Sequence, residues 1–114
     1  MEICFETVNG VQVAHLQCYL DQMGAENFKF VLLERLEECK TMILDLEKLV
    51  NIDSFGLDAL LAVAQKAIER KADIKLANVS PDMQIVLDIT KVYRVFDIYP
   101  TIEEAAASCQ ETLQ

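Results

Sequence analysis

Side chains able to do chemistry are concentrated in Asp53-Ser54-Phe55-Gly56-Leu57. Ser54 stands where an apolar strand pattern hands over to a helical one. A serine hydroxyl at such a junction has two obvious uses. It caps the helix, or it attacks an electrophile. Capping, by Asp53 or by Ser54, contributes about 1 kcal/mol and is enough to account for a serine there. Attack needs a base within hydrogen-bond reach and an oxyanion site. His15 is the single imidazole of the 114 residues and sits in an apolar strand pattern. It is a poor candidate for a catalytic pair or a metal ligand. The sequence therefore argues for a binding module with no catalytic residue, no metal and no cofactor.

Gly56 asks for more than a cap. A glycine in a first helical turn costs up to about 1 kcal/mol relative to alanine, and no turn or helix end excuses it here. Close approach of another backbone or molecule is the physical reason to keep one. Helical spacing puts Leu57, Leu60, Leu61, Ala64 and Ile68 on an inward stripe. It turns Phe55, Asp58, Ala59 and Ala62 outward, where a large aromatic beside small alanines suggests a docking patch. Gln65, Lys66, Glu69 and Arg70 appear only later along the same pattern.

The elements that must position this site follow from periodicity. Ile3 to Val8 reads as a strand, Asn9-Gly10 is a strong hairpin signal, and Val11 to Leu16 reads as the antiparallel partner. Gly24 breaks the chain before a helix over about Ala25 to Cys39, with Phe28, Val31, Leu32, Leu36 and Cys39 on one face. Met42 to Leu46 has the continuous apolar character of a central strand covered on both faces. A loop over Glu47 to Asn51 leads to the Ser54 junction and a helix from about Gly56 to Arg70. Asp73 to Val79 reads as a parallel strand because a helix precedes it. Ser80-Pro81-Asp82 supplies an N-cap, a first helical position and a first-turn acid for a short helix to about Thr90. Val95 to Ile98 is a last strand. Thr101 and Glu104 have capping-box spacing at the start of a final helix. The order β-β-α-β-α-β-α-β-α defines a single α/β domain over residues 1–114. Its mixed sheet has an antiparallel first pair and mainly parallel strands after it, with about four helices packed on it.

Composition bounds what such a domain binds. Apolar residues make up 53% of the chain, enough for a packed core. The formal charge is −9, with no Lys or Arg before Lys29. This argues against nucleic acid, whose phosphates demand clustered basic residues, and favours a basic protein surface as partner. Cys4, Cys18, Cys39 and Cys109 are too scattered for a metal or redox motif and are expected as reduced, small core residues. With no long apolar run and no basic start at the N-terminus, a cytoplasmic protein without direct membrane insertion is expected.

Met42-Ile43-Leu44-Asp45-Leu46 followed by Val50-Asn51-Ile52-Asp53-Ser54-Phe55-Gly56-Leu57 resembles the central motif of the STAS domain family, best known from bacterial anti-sigma factor antagonists. Leu20-Asp21, Leu76-Ala77-Asn78-Val79-Ser80, Val95-Phe96-Asp97-Ile98-Tyr99 and Glu104-Ala105 extend the likeness over nearly the whole chain. The resemblance implies a switch in transcription regulation. The unphosphorylated protein binds an anti-sigma factor that is also a serine kinase and frees the sigma factor. That kinase phosphorylates Ser54, and a separate serine phosphatase resets it. Leu20, Asp21, Asp53, Phe55, Gly56, Asp58, Ala59 and Ala62 are the expected partner-binding set around this phosphoacceptor. A STAS scaffold subunit of a membrane transporter or larger signalling assembly is the alternative.

Three positions depart from the family pattern. Phe55 fills a place usually held by a small residue. Cys18 replaces a glycine before Leu-Asp. Val92 or Tyr93 stands where the loop after the third helix usually has glycine.

Overall fold

A two-residue turn starts the fold. In the computed structural model, which describes residues 2–91 and 95–112, strand β1 (Glu2–Val8) reverses into β2 (Val11–Leu20). Asn9 and Gly10 both take positive φ, 51° and 81°, the geometry that matches the natural twist of a hairpin. The chain continues through α1 (Gln22–Leu36), β3 (Thr41–Ile52), α2 (Ser54–Glu69), β4 (Asp73–Ala77), α3 (Pro81–Thr90), β5 (Asp97–Tyr99) and α4 (Ile102–Thr112). The element order is the expected one. Val92 and Tyr93 lie outside the described residues, as does the Cys18 side chain.

The five strands form one sheet in sequence order, with β1 antiparallel to β2 and every later pair parallel. Alternation along the strands divides the apolar residues between the two faces. Ala14, Leu16, Met42, Leu44, Ile74 and Leu76 pack under α1, α2 and α3 through Phe28, Leu32, Leu60, Val63 and Leu87. Val11, Val13, Ile43 and Ala77 form a smaller core on the opposite face with Ala105, Ala106 and Cys109 of α4.

Several boundaries differ from those that periodicity predicts. β2 runs four residues past Leu16, and β3 continues through Glu47 to Asn51, the stretch expected as a loop. Each extension supplies the other's partner. Gln17 pairs Lys48 and Leu20 pairs Ile52, with one register shift between His15 and Gln17 and another between Cys18 and Tyr19, so bulges absorb the irregular spacing of Leu46, Leu49 and Ile52. Gly24 does not break the chain; it is buried in the first turn of α1. Cys39 lies beyond the end of α1, and its Sγ donates to the Arg35 carbonyl. β4 stops at Ala77, where Asn78 turns to φ 58°. β5 begins at Asp97 because Phe96 leaves the sheet edge for the larger core.

The remaining helix starts follow their capping residues. The Ser80 hydroxyl accepts from Met83 N–H at 3.1 Å with Pro81 in the first turn. Thr101 Oγ1 accepts from Glu104 N–H at 3.1 Å. Cys109 is buried and Cys39 half-buried, and burial pushes both thiols above their ordinary pKa. Cys4 departs from the core expectation: it is exposed on edge strand β1. No helix among the described residues is long and apolar enough to cross a membrane.

Candidate functional site at the paired helix N-termini

β2 and β3 are parallel neighbours, and each runs straight into a helix. Their carboxyl ends, Leu20 and Ile52, pair directly, so the N-termini of α1 and α2 emerge side by side. The two starts have the same construction. Asp21-Gln22-Met23-Gly24 opens α1 and Asp53-Ser54-Phe55-Gly56 opens α2. In each, an extended aspartate is the N-cap and its Oδ1 accepts the N–H of the glycine three residues on, at 3.2 Å from Gly24 and 2.9 Å from Gly56. Such a bond satisfies one of the orphan donors of a first turn.

Asp53 does more than cap its own helix. Its Oδ2 accepts the Gln22 N–H of α1 at 3.1 Å, and its backbone N–H donates to the Leu20 carbonyl at 3.2 Å. One carboxylate thus binds the leading N–H groups of two helices. Of the two capping candidates at the junction, Asp53 is the cap, and Ser54 is the first residue of α2 with its side chain exposed.

Gly56 has an internal cause. A Cβ placed on it would stand 2.1 Å from the Leu20 carbonyl oxygen and 2.8 Å from Ile52 Cγ1. The close approach anticipated from sequence is therefore that of the protein's own backbone. Gly56 and Leu20 are buried, and they set the distance between strand end and helix instead of presenting surface.

The outward face of α2 also needs correction. Ala59 is buried, with Gly56, Leu60, Val63, Ala64 and Ala67, whereas Leu61 and Ile68 of the expected inward stripe are exposed. α2 packs on both the sheet and α1, and four of its six buried residues are glycine or alanine, so the buried stripe is rotated toward the alanines. Phe55 and Asp58 do face outward, Phe55 at 50% exposure, and Ala62 is half-buried in a groove shared with Phe30 and Leu33 of α1.

Two exposed apolar residues belong beside the expected set. Met23 is 93% exposed at the α1 position equivalent to Phe55, and Val50 is 69% exposed near the end of β3. Met23 precedes the expected helix start at Ala25, and Val50 falls in the expected loop over 47–51; the structure places them in α1 and β3. The repeated aspartate, two residues, glycine spacing was the available signal for Met23.

His15 is committed elsewhere. Its Nδ1 lies 2.6 Å from Asp45 Oδ2 and its Nε2 2.6 Å from Glu6 Oε1. With both ring nitrogens engaged, it offers Ser54 no general base. No group of three or more metal-ligating side chains is found among the described residues.

Comparison with known proteins accords with this geometry. The STAS domain model matches residues 2–105, and the chain belongs to the STAS domain family. Over 114 residues it is 25% identical to BtrV of Bordetella bronchiseptica, a protein that bears the name of an anti-sigma factor antagonist, covering 99% of this chain and 98% of that one. The fold matches an anti-sigma factor antagonist structure from Thermotoga maritima at TM-score 0.85, with 23% identity over 93% of this chain and 92% of that one. It also matches the anti-sigma factor antagonist SpoIIAA in its unphosphorylated form at TM-score 0.72, with 21% identity over 96% and 98% of the two chains.

Proposed function

We propose that this protein is a cytoplasmic anti-sigma factor antagonist whose partner is an anti-sigma factor with serine kinase activity. The unphosphorylated form binds that partner through the surface around Ser54. Phosphorylation of Ser54 releases it, and a separate serine phosphatase restores the binding form. The carrying observation is the placement of Ser54, exposed as the first residue of α2 beside the N-terminus of α1, in a STAS chain matched over its whole length by a relative with the antagonist name.

The local electrostatics suit a reversible charge. A phosphoserine adds about −1.5 to −2 charge and three strong acceptor oxygens. Each neighbouring helix N-terminus carries partial positive charge worth about 0.3–1 kcal/mol to an adjacent anion. The Asp53 carboxylate, nearest in sequence, already accepts N–H groups from both helices. The exposed Asp58 carboxylate, one turn along, opposes the phosphate. The fold tolerates the modification. A partner pressed against Phe55 and Ser54 does not, because a buried, unpaired dianion is costly to desolvate.

The scaffold-subunit alternative has less behind it, since the relative matching the whole chain is named as an antagonist. Phe55 is the feature that sets this site apart, as it puts an aromatic ring where the family pattern has a small side chain.

Incubation with the cognate kinase and ATP, followed by intact-mass measurement, tests the reading. One phosphate is expected on the native chain and none on Ser54→Ala. The phosphorylated protein is expected to lose the partner while keeping its melting temperature. A phosphate that persists on Ser54→Ala, or unchanged affinity after modification, overturns it.

A further inference from the structure

On the sheet face that carries α4, a line of polar side chains crosses three consecutive strands beyond the apolar cover of that helix and reaches the turn after the fourth. Glu6 of β1, His15 of β2 and Asp45 of β3 are joined through the imidazole, with both N···O distances at 2.6 Å. Asp45 Oδ1 also accepts from Asn78 Nδ2 at 2.9 Å and from Glu47 N–H at 3.1 Å. Asn78 sits just after β4 in a left-handed conformation, φ 58°. The line therefore ties the edge strand to the turn that leads into α3.

Two carboxylates on one imidazole require two N–H donors. A neutral imidazole has one donor and one acceptor nitrogen, and an ionised carboxylate brings no proton of its own. The contact is complete only while His15 is an imidazolium. We propose that His15 is a pH-sensitive clamp, which fixes strand β1 to the centre of the sheet when protonated and releases one carboxylate when it loses its proton.

The surroundings support this. Burial by itself lowers the pKa of the imidazole, but hydrogen bonds to Asp45 and Glu6 and their negative charge outweigh it, and the net shift is upward from 6.5. The other groups around the ring are mixed. Cys4 of β1, Gln17 of β2, and Glu47 and Lys48 of β3 line the same cavity of about 350 Å3, and among the described residues α4 contributes the apolar Ile102. Lys75, on the same sheet face, is occupied by Asp97 at 3.2 Å and Asp73 at 3.7 Å. The direction follows from linkage. A group whose pKa is raised in the folded state stabilises it fully below the unfolded pKa, and that contribution disappears as pH rises through the folded pKa. The clamp is closed under mildly acidic conditions and opens toward alkaline ones.

Because His15 is the only histidine of the chain, a proton NMR titration of the intact protein reads it directly. Its ring resonance is expected to titrate with a midpoint above 6.5. Amide protection factors in β1 are expected to fall about threefold or more through that midpoint, while those in the middle of α2 stay level. Glu6→Gln, on a side chain that is 53% exposed, should lower the midpoint and shrink the β1 step without unfolding the chain. His15→Gln should abolish the step. A midpoint at or below 6.5, or a β1 step of unchanged size in Glu6→Gln, overturns the proposal. The Glu6→Gln comparison decides alone if His15→Gln does not fold.

Discussion

Asp53 Oδ2 accepts the backbone N–H of Gln22, 31 residues earlier in the chain, at 3.1 Å. That bond makes one side chain the cap of α2 and a partner of the first residue of α1. The exposed Ser54 hydroxyl beside it therefore sits at the junction of two helix starts whose separation is set by β2–β3 pairing. The local rigidity of the candidate switch depends on this carboxylate more than on the serine.

Removing it should show as lost stability. Asp53→Ala vacates two acceptor positions and leaves the Gly56 and Gln22 N–H groups without their carboxylate. The expected loss is about 2 kcal/mol, above the roughly 1 kcal/mol typical of a single cap, measured by urea unfolding. Asp53→Asn retains one acceptor oxygen and should lose about half as much. A loss within about 0.5 kcal/mol for Asp53→Ala would show that the double contact carries no weight.

Gly56→Ala is expected to be more damaging than its size suggests. The added methyl meets a backbone oxygen at 2.1 Å, not a yielding side-chain tip, so β2 and α2 must separate. Overpacking of this kind costs about 1–3 kcal/mol or more. Ser54→Ala, on an exposed side chain in the same turn, should unfold at nearly the native temperature. Thermal melts of the two variants side by side check the contrast.

Met23 and Phe55 occupy equivalent positions in the two capped turns, and both are largely exposed. If the partner docks on this surface, truncation of either to alanine should weaken binding about tenfold, the size of a moderate interface anchor, with stability changed by less than about 0.5 kcal/mol. Calorimetric titration against the partner, beside a melt of each variant, reads both quantities. Full affinity in the Met23→Ala, Phe55→Ala double variant would place the docking surface elsewhere.

Asp45 predicts a separate acid limb. Burial by itself raises its pKa, but hydrogen bonds from Asn78, His15 and Glu47 N–H outweigh it, so the folded value lies below 3.8. A carboxyl depressed in this way contributes stability that is present above the unfolded pKa and lost as pH falls through the folded one. Unfolding free energy should therefore decline below about pH 4. In Asp45→Asn the decline should be shallower, and stability at neutral pH lower. Denaturant melts across the acid range measure both.

Much of this was legible in the linear sequence because it is written in short-range chemistry. Asn9-Gly10 specifies a hairpin turn by the φ it permits, and Ser80-Pro81 and Thr101 specify helix starts by the donors they satisfy. The apolar periods of two and of 3.6 residues lead to a β-β-α-β-α-β-α-β-α order without any knowledge of contacts. Ser54 at a strand-to-helix junction was legible for the same reason, and so was a glycine that needed a close neighbour.

Other features required distant segments to meet. The extension of β3 through Glu47-Lys48 exists because β2 lies alongside it. The burial of Ala59 and the exposure of Leu61 follow from α2 packing on the sheet and α1 together, a rotation that an apolar-rich helix leaves open. His15 looked like an idle strand residue, yet its partners Glu6 and Asp45 are 9 and 30 positions away. As for Ser54, sequence alone identified the residue and the helix it begins. Tertiary structure supplied the second helix beside it, because parallel strands bring together chain segments that no local spacing records.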